Sequence, residues 1–213
     1  MKYYPVFLDI NKKKCVIVGG GEVAARKAER LLDCGAKVLV ISPKLLPELA
    51  ALKEKGSISH IAAEYSGDLL DKSALVIGAT DDEETNARIS DDARAKGIPV
   101  NIVDDPQKCD FILPALMQRG DLTIAIGTGG KSPALARHLR EELELKYGGE
   151  YEVFLDILGK LRVKMAKNEG KGRDWFNSMI AAGMLESIQA RDIEKVHKII
   201  KNITGEEVDC DFG

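Results

Sequence analysis

Apolar residues along the first hundred positions follow two rhythms. Short unbroken runs rich in Val and Ile, at residues 14–18 and 37–41, read as strands buried on both faces. Between them Ala24, Ala28, Leu31 and Leu32 recur at helical spacing, which makes one strand-helix-strand unit. The alternation continues. A helix is predicted over 45–55, closed by Gly56, then a short strand over 58–61 and another over 74–79. A polar helix follows over 83–96, capped by Asp81 or Asp82, and a fifth strand over 99–103. Such alternation needs crossover connections, so the expected fold is α/β with a mainly parallel Rossmann-type sheet, most simply ordered 3-2-1-4-5.

The rhythm changes after Asp104. FILPALMQ (111–118) and LTIAIGT (122–128) read as extended pieces joined at Arg119-Gly120-Asp121, a hairpin signal and a candidate dimer-forming element. Ser132 and Pro133 form an N-cap and first-turn pair that opens a helix with Leu135, Leu139 and Leu143 on one face. Gly148-Gly149 ends it. Everything after Glu150 is helical by periodicity, about three helices broken near residues 170–172 and at Gly183, with a frayed tail from Gly205. The expected division is a dinucleotide-binding domain over 1–113, a dimerisation region over 114–149 and a helical domain over 150–213.

Composition narrows the class without naming a function. The 213 residues are 45% hydrophobic, enough for a proper core, and no apolar stretch approaches a membrane span. MKYYPVFLDI lacks the apolar core of a signal peptide, so a cytoplasmic protein is expected. Cys15, Cys34, Cys109 and Cys210 are scattered without a CxxC pair, and His60, His138 and His197 share no ligand spacing; neither a disulfide framework nor a metal site is expected. A net charge of -3 argues against general nucleic-acid binding. One basic island stands out late in the chain: Lys160, Arg162, Lys164, Lys167, Lys171 and Arg173 face only Glu169.

The candidate chemistry gathers at the strand ends. Gly19, Gly21 and Ala24 satisfy G-x-G-x-x-A, with Gly20 between the first two. The first glycine makes the turn, the second lets the backbone approach a pyrophosphate, and the small third residue lets helix and strand meet closely. After the second strand, where Asp or Glu often binds a ribose, stand Ser42, Pro43 and Lys44, which leaves NAD against NADP open. Thr80 and Asn101 are expected on the nicotinamide side. Asp104 closes a strand at the ligand edge and is the candidate general base, whereas a plain turn before Pro106 is the simpler alternative. AIGTGGKS (125–132) fits a relaxed phosphate-loop pattern, but it lacks the first Gly and follows five other strands; it reads as an anion-binding loop or a simple turn.

With those residues in hand, the chain resembles the precorrin-2 dehydrogenase family, the N-terminal module of siroheme synthases and its free-standing relatives. YPVFLDI (4–10), CVIVGGGEVAARKAERLL (15–32), ATDDEETN (79–86), NIVDDP (101–106) and FILPALMQRGDLTIAIGTGGKSPALAR (111–137) carry the resemblance, in that order. It implies a homodimer that oxidises the tetrapyrrole precorrin-2 to sirohydrochlorin with NAD; some members also insert ferrous iron. It also implies dinucleotide contacts from Glu22, Val23, Pro43 and Lys44, and an acid/base role for Asp104. Thr128 stands where some members carry Ser. Precorrin-2 is rich in carboxylates, so Arg119, Lys131 and Arg137, with Thr128, Gly129 and Gly130 in the glycine loop, are the expected substrate side. A non-catalytic NAD-sensing domain is the competing expectation.

Overall fold

In the computed structural model, which describes residues 2–165, 172–210 and 212, the alternating segments form a first unit, Met1–Leu113. Its elements are β1 (Lys14–Val18), α1 (Glu22–Asp33), β2 (Lys37–Ile41), α2 (Pro47–Glu54), β3 (Ile58–Ile61), β4 (Leu75–Gly78), α3 (Glu83–Ala95) and β5 (Val100–Ile102). The sheet is parallel throughout and ordered β3-β2-β1-β4-β5, as the alternation predicts. In β1, Cys15 and Ile17 join a core with Ala24, Ala28 and Leu31 of α1 and Leu49 of α2. Val16 and Val18 join the opposite core with Ile89 and Ala93 of α3. Successive side chains of a strand point to opposite faces, which is why an unbroken apolar run was needed.

Local chemistry sets the ends. The helix predicted from residue 45 starts at Pro47, where a proline costs no hydrogen bond because first-turn amides have no partner within the helix. Of the two possible caps for α3, Asp82 does the work: its carboxylate accepts from Thr85 N at 3.1 Å.

The second unit, Pro114–Gly213, opens with an antiparallel hairpin of β6 (Ala115–Arg119) and β7 (Leu122–Ile126), turned at Gly120 with φ +52°. Next comes α4 (Pro133–Lys146), whose Ser132 cap accepts from Leu135 N at 3.1 Å. Four helices then follow among the described residues rather than three: α5 (Glu150–Lys164), α6 (Gly172–Ala181), α7 (Met184–Gln189) and α8 (Ile193–Thr204). The extra break carries no glycine. Arg191 adopts φ +54° and Asp192 caps α8 by accepting from Lys195 N at 3.0 Å. Gly183 and Gly205 are left-handed at the expected ends. The break expected near 170–172, like Lys167 and Lys171 of the basic island, lies mostly outside the described residues. Phe154, Ile157, Leu161, Met179, Met184, Ile188, Val196 and Ile200 form this unit's core. The leucine face of α4 is only partly covered: Leu139 and Leu143 are half-buried and Leu135 is 48% exposed. No helix among the described residues is long and apolar enough to cross a membrane.

Candidate functional site

The carboxyl ends of β1, β2, β4 and β5 are laced together by backbone hydrogen bonds. Gly19 N donates to Ile41 O at 2.9 Å, Ala79 N to Val18 O at 2.8 Å, Leu46 N to Gly20 O at 2.9 Å and Val103 N to Gly78 O at 2.9 Å. The three glycines meet different demands within this lattice. Gly19 has φ +129°, and a Cβ there would lie 2.2 Å from Ala79 O. A Cβ on Gly20 would lie 1.9 Å from Lys44 O. Gly21 has nothing within 4 Å of that position and serves as N-cap of α1 without a side-chain hydrogen bond. The first-turn amides of Glu22, Val23 and Ala24 have no partner within the helix, and the glycine beside them leaves its own Cβ position open, an arrangement that admits an anionic group such as a pyrophosphate. Buried Ala24 seats the helix against the sheet.

The neighbouring polar residues divide into supports and exposed groups. Ser42 is buried, and its hydroxyl donates to Lys44 O at 2.8 Å while His60 Nε2 lies 2.9 Å from Ser42 O. The hydroxyl proton thus holds the turn, and the oxygen's acceptor side is what it can offer a ribose; Pro43 and Lys44 are exposed. Thr80 Oγ1 accepts from Asp82 N at 3.2 Å and lies 3.1 Å from Asn86 Oδ1, and Asn86 Nδ2 donates to Thr80 O at 2.9 Å. Asn101 is likewise occupied, donating to Phe111 O at 2.9 Å. The side-chain donors of Thr80 and Asn101 are engaged within the protein. Buried Asn86 and half-buried His60 carried no sequence signal for these roles; only the folded turn brings them in.

Asp104 is different. It is exposed beyond the end of β5 with φ +61°, and among the described residues no hydrogen bond or salt bridge engages its carboxylate. Its neighbour Asp105 is spent on the turn, accepting from Gln107 N at 3.1 Å and pairing with Lys108. Lys27 of α1, which sequence reasoning passed over, is half-buried within electrostatic reach of Asp104. Burial holds its ammonium below the ordinary lysine range, Arg30 and Arg26 add to that, and Asp104 acts in the opposite sense.

In the second unit the glycine loop before α4 is a tight turn. Gly129 and Gly130 have φ +63° and +82°, Lys131 N donates to Thr128 O at 3.2 Å, and Thr128 Oγ1 bonds both N and O of Ser132, at 3.3 and 3.1 Å. The Thr128 hydroxyl is therefore committed to the turn. Lys131 is exposed; Arg137 pairs with Glu141 at 2.9 Å on an exposed surface. Arg119 donates to the carbonyls of Gln118 and Glu144 at 2.8 and 3.0 Å, so it closes the end of α4. A separate cavity of about 720 Å³ in this unit is lined by Asp121, Glu150, Glu152 and Asp156 against Lys160 and Arg191. Its balance is wrong for a polycarboxylate.

A parallel sheet with a glycine-rich turn opening its first helix defines the class of Rossmann dinucleotide-binding proteins. Residues 6–115 match the family model described as "Putative NAD(P)-binding", and residues 119–144 match "Sirohaem biosynthesis protein central". The chain belongs to this NAD(P)-binding family. It is 39% identical over 211 residues to siroheme synthase 1 of Aeromonas salmonicida, across 97% of this chain and 45% of the relative. It is 46% identical over 144 residues to the siroheme synthase of Chromobacterium violaceum, across 68% of this chain and 31% of the relative. The chain thus spans less than half the length of these relatives. In three dimensions it is similar to the solved structure of SirC, a precorrin-2 dehydrogenase, with a TM-score of 0.77 at 23% identity, covering 96% of this chain and all of that one.

Proposed function

We propose that this chain is an NAD-dependent dehydrogenase that oxidises precorrin-2 to sirohydrochlorin. The observation that carries the reading is the alignment to siroheme synthases along 97% of the chain, which joins the glycine turn to the hairpin and α4 in a single match. SirC shares the fold, and its name states the activity. When bound, NAD supplies the hydride acceptor. The chain supplies orientation and a proton acceptor. Gly21 and the α1 amides hold the pyrophosphate, with Pro43 and Lys44 flanking the adenosine side. The Asp104 carboxylate takes the proton that leaves the macrocycle as the hydride departs, with the Lys27 cation in electrostatic reach.

Roles in the second unit are assigned on chemistry. Exposed Lys131 and Arg137, with Thr128, Gly129 and Gly130 shaping the loop beneath them, serve the carboxylates of the tetrapyrrole; Arg119 contributes through its charge, since its donors are engaged. We assign residues 1–113 to dinucleotide binding, 114–149 to a homodimer interface and 150–213 to a helical domain, in a cytoplasmic enzyme. Incubating the purified chain with NAD and precorrin-2 tests the function. Growth of sirohydrochlorin absorbance with NADH is expected; NAD binding without turnover would instead make it a redox-sensing domain. Adding Fe²⁺ to the product reports whether the chain also inserts iron.

A further inference from the structure

The turn that presents Asp104 is held by a thiol. Asp104 sits in the left-handed region at φ +61°, which a non-glycine residue adopts at a cost of about 1 kcal/mol or more and keeps only where its surroundings overdetermine it. Five residues on, Cys109 folds back under the turn. Its sulfur accepts from Ile102 N at 3.2 Å and from Asn101 Nδ2 at 3.5 Å, and its hydrogen is placed to reach Ile102 O at 3.2 Å or Asp105 O at 3.1 Å. Both ends of the Asp104 turn thus converge on one half-buried atom. Burial raises the thiol above its ordinary range, so at neutral pH it keeps the proton that donates to these carbonyls. Further along, Asp110 seals the segment to β5, with N donating to Val100 O at 2.8 Å and Oδ2 accepting from Val100 N at 3.3 Å.

We infer that Cys109 is a positioning residue, whose neutral thiol clamps the 102–109 turn and so fixes where the Asp104 carboxylate meets the substrate. The inference rests on the assignment of Asp104 as proton acceptor. A thiol serves because one atom both accepts from an amide and donates to a carbonyl. An ångström of drift in a reacting group can cost about a hundredfold in rate, so the clamp acts on turnover and not on cofactor affinity.

The test uses the full chain with Cys109→Ala, Cys109→Ser, Asp104→Ala and the double variant Asp104→Ala/Cys109→Ala. Cys109→Ala is expected to lower kcat about tenfold or more with NAD affinity kept within about twofold, and Cys109→Ser, which keeps a donor and an acceptor, to recover most of it. In the Asp104→Ala background the same change should cost nothing further, because the two losses share one cause. Hydrogen exchange of the 103–108 amides, read without substrate, should rise in both chains that carry Cys109→Ala and stay at the parent level in Asp104→Ala and Cys109→Ser. Blocking the folded parent with methyl methanethiosulfonate should lower kcat while Cys109→Ser resists, which covers the case of an Ala variant that does not fold. Full activity of Cys109→Ala, additive losses, or a Ser variant as impaired as Ala would overturn the inference. A fully active Asp104→Ala would instead sink the assignment of Asp104, leaving the exchange data to decide whether the clamp exists.

Discussion

Gly20 and Lys44 are in direct backbone apposition: a Cβ on the first would stand 1.9 Å from the carbonyl oxygen of the second, and Ser42 Oγ would lie 2.8 Å away. Gly21, one residue on, has clear space above it. Gly20→Ala must push the β2–α2 turn outward and is expected to cost about 2 kcal/mol or more in stability by urea melts. Gly21→Ala, at φ -91°, should melt like the parent yet lose about tenfold or more in NAD affinity, because its methyl group occupies the approach of the pyrophosphate. Equal behaviour of the two variants in both assays would contradict this division of labour.

Asp104→Asn keeps the size and the left-handed tolerance of the residue while removing the proposed base. Turnover should fall on the order of 10² to 10⁴ while NAD affinity and melting temperature stay near the parent values. Stopped-flow measurement of NADH formation with precorrin-2 checks this.

Buried Cys15 predicts an alkaline weakness. Burial in β1, helped by Cys34 and opposed by Lys13, raises its thiol from 9.0 to about 11. The unfolded chain ionises this thiol near its ordinary value and the folded chain does not, so its stability is complete below pH 9 and declines as the pH climbs towards 11. The loss approaches about 2 to 3 kcal/mol. Urea melts of the parent and of Cys15→Ala at pH 8 and pH 10.5 should show a smaller alkaline drop in the variant; parallel drops would exclude Cys15 as the source.

Leu135, 48% exposed on the incompletely covered face of α4, tests the proposed homodimer. Leu135→Asp should shift the protein from dimer to monomer in light scattering, with the circular dichroism of the folded chain retained. A monomeric parent would remove the dimer from the reading.

The sheet was legible because its signals are local and redundant. Continuous apolar runs mark β1 and β2 and a short alternation marks β3, and all three fall on the predicted residues with the predicted order. The glycine turn was equally plain, since only glycine tolerates the φ of Gly19 or the crowding at Gly20. Less legible were the side chains that hold the strand ends. Ser42, Thr80 and Asn101 look like ligand donors in one dimension, but their partners Lys44, Asn86 and Phe111 are fixed only when the turns close. The break before α8 escaped notice because Arg191 takes a left-handed conformation without glycine, supported by the Asp192 cap.

The positive φ at position 104 also constrains which substitutions a lineage can explore there. Backbone geometry favours Gly, Asn and Asp and turns away β-branched residues, so a library selected for folding alone would be enriched in those three. Asn and Gly are each one nucleotide change from an Asp codon. Under the proposed role of Asp104, this carboxylate therefore has neighbours that keep the fold and lack the base, and relatives without dehydrogenase activity should be sought first among chains carrying them.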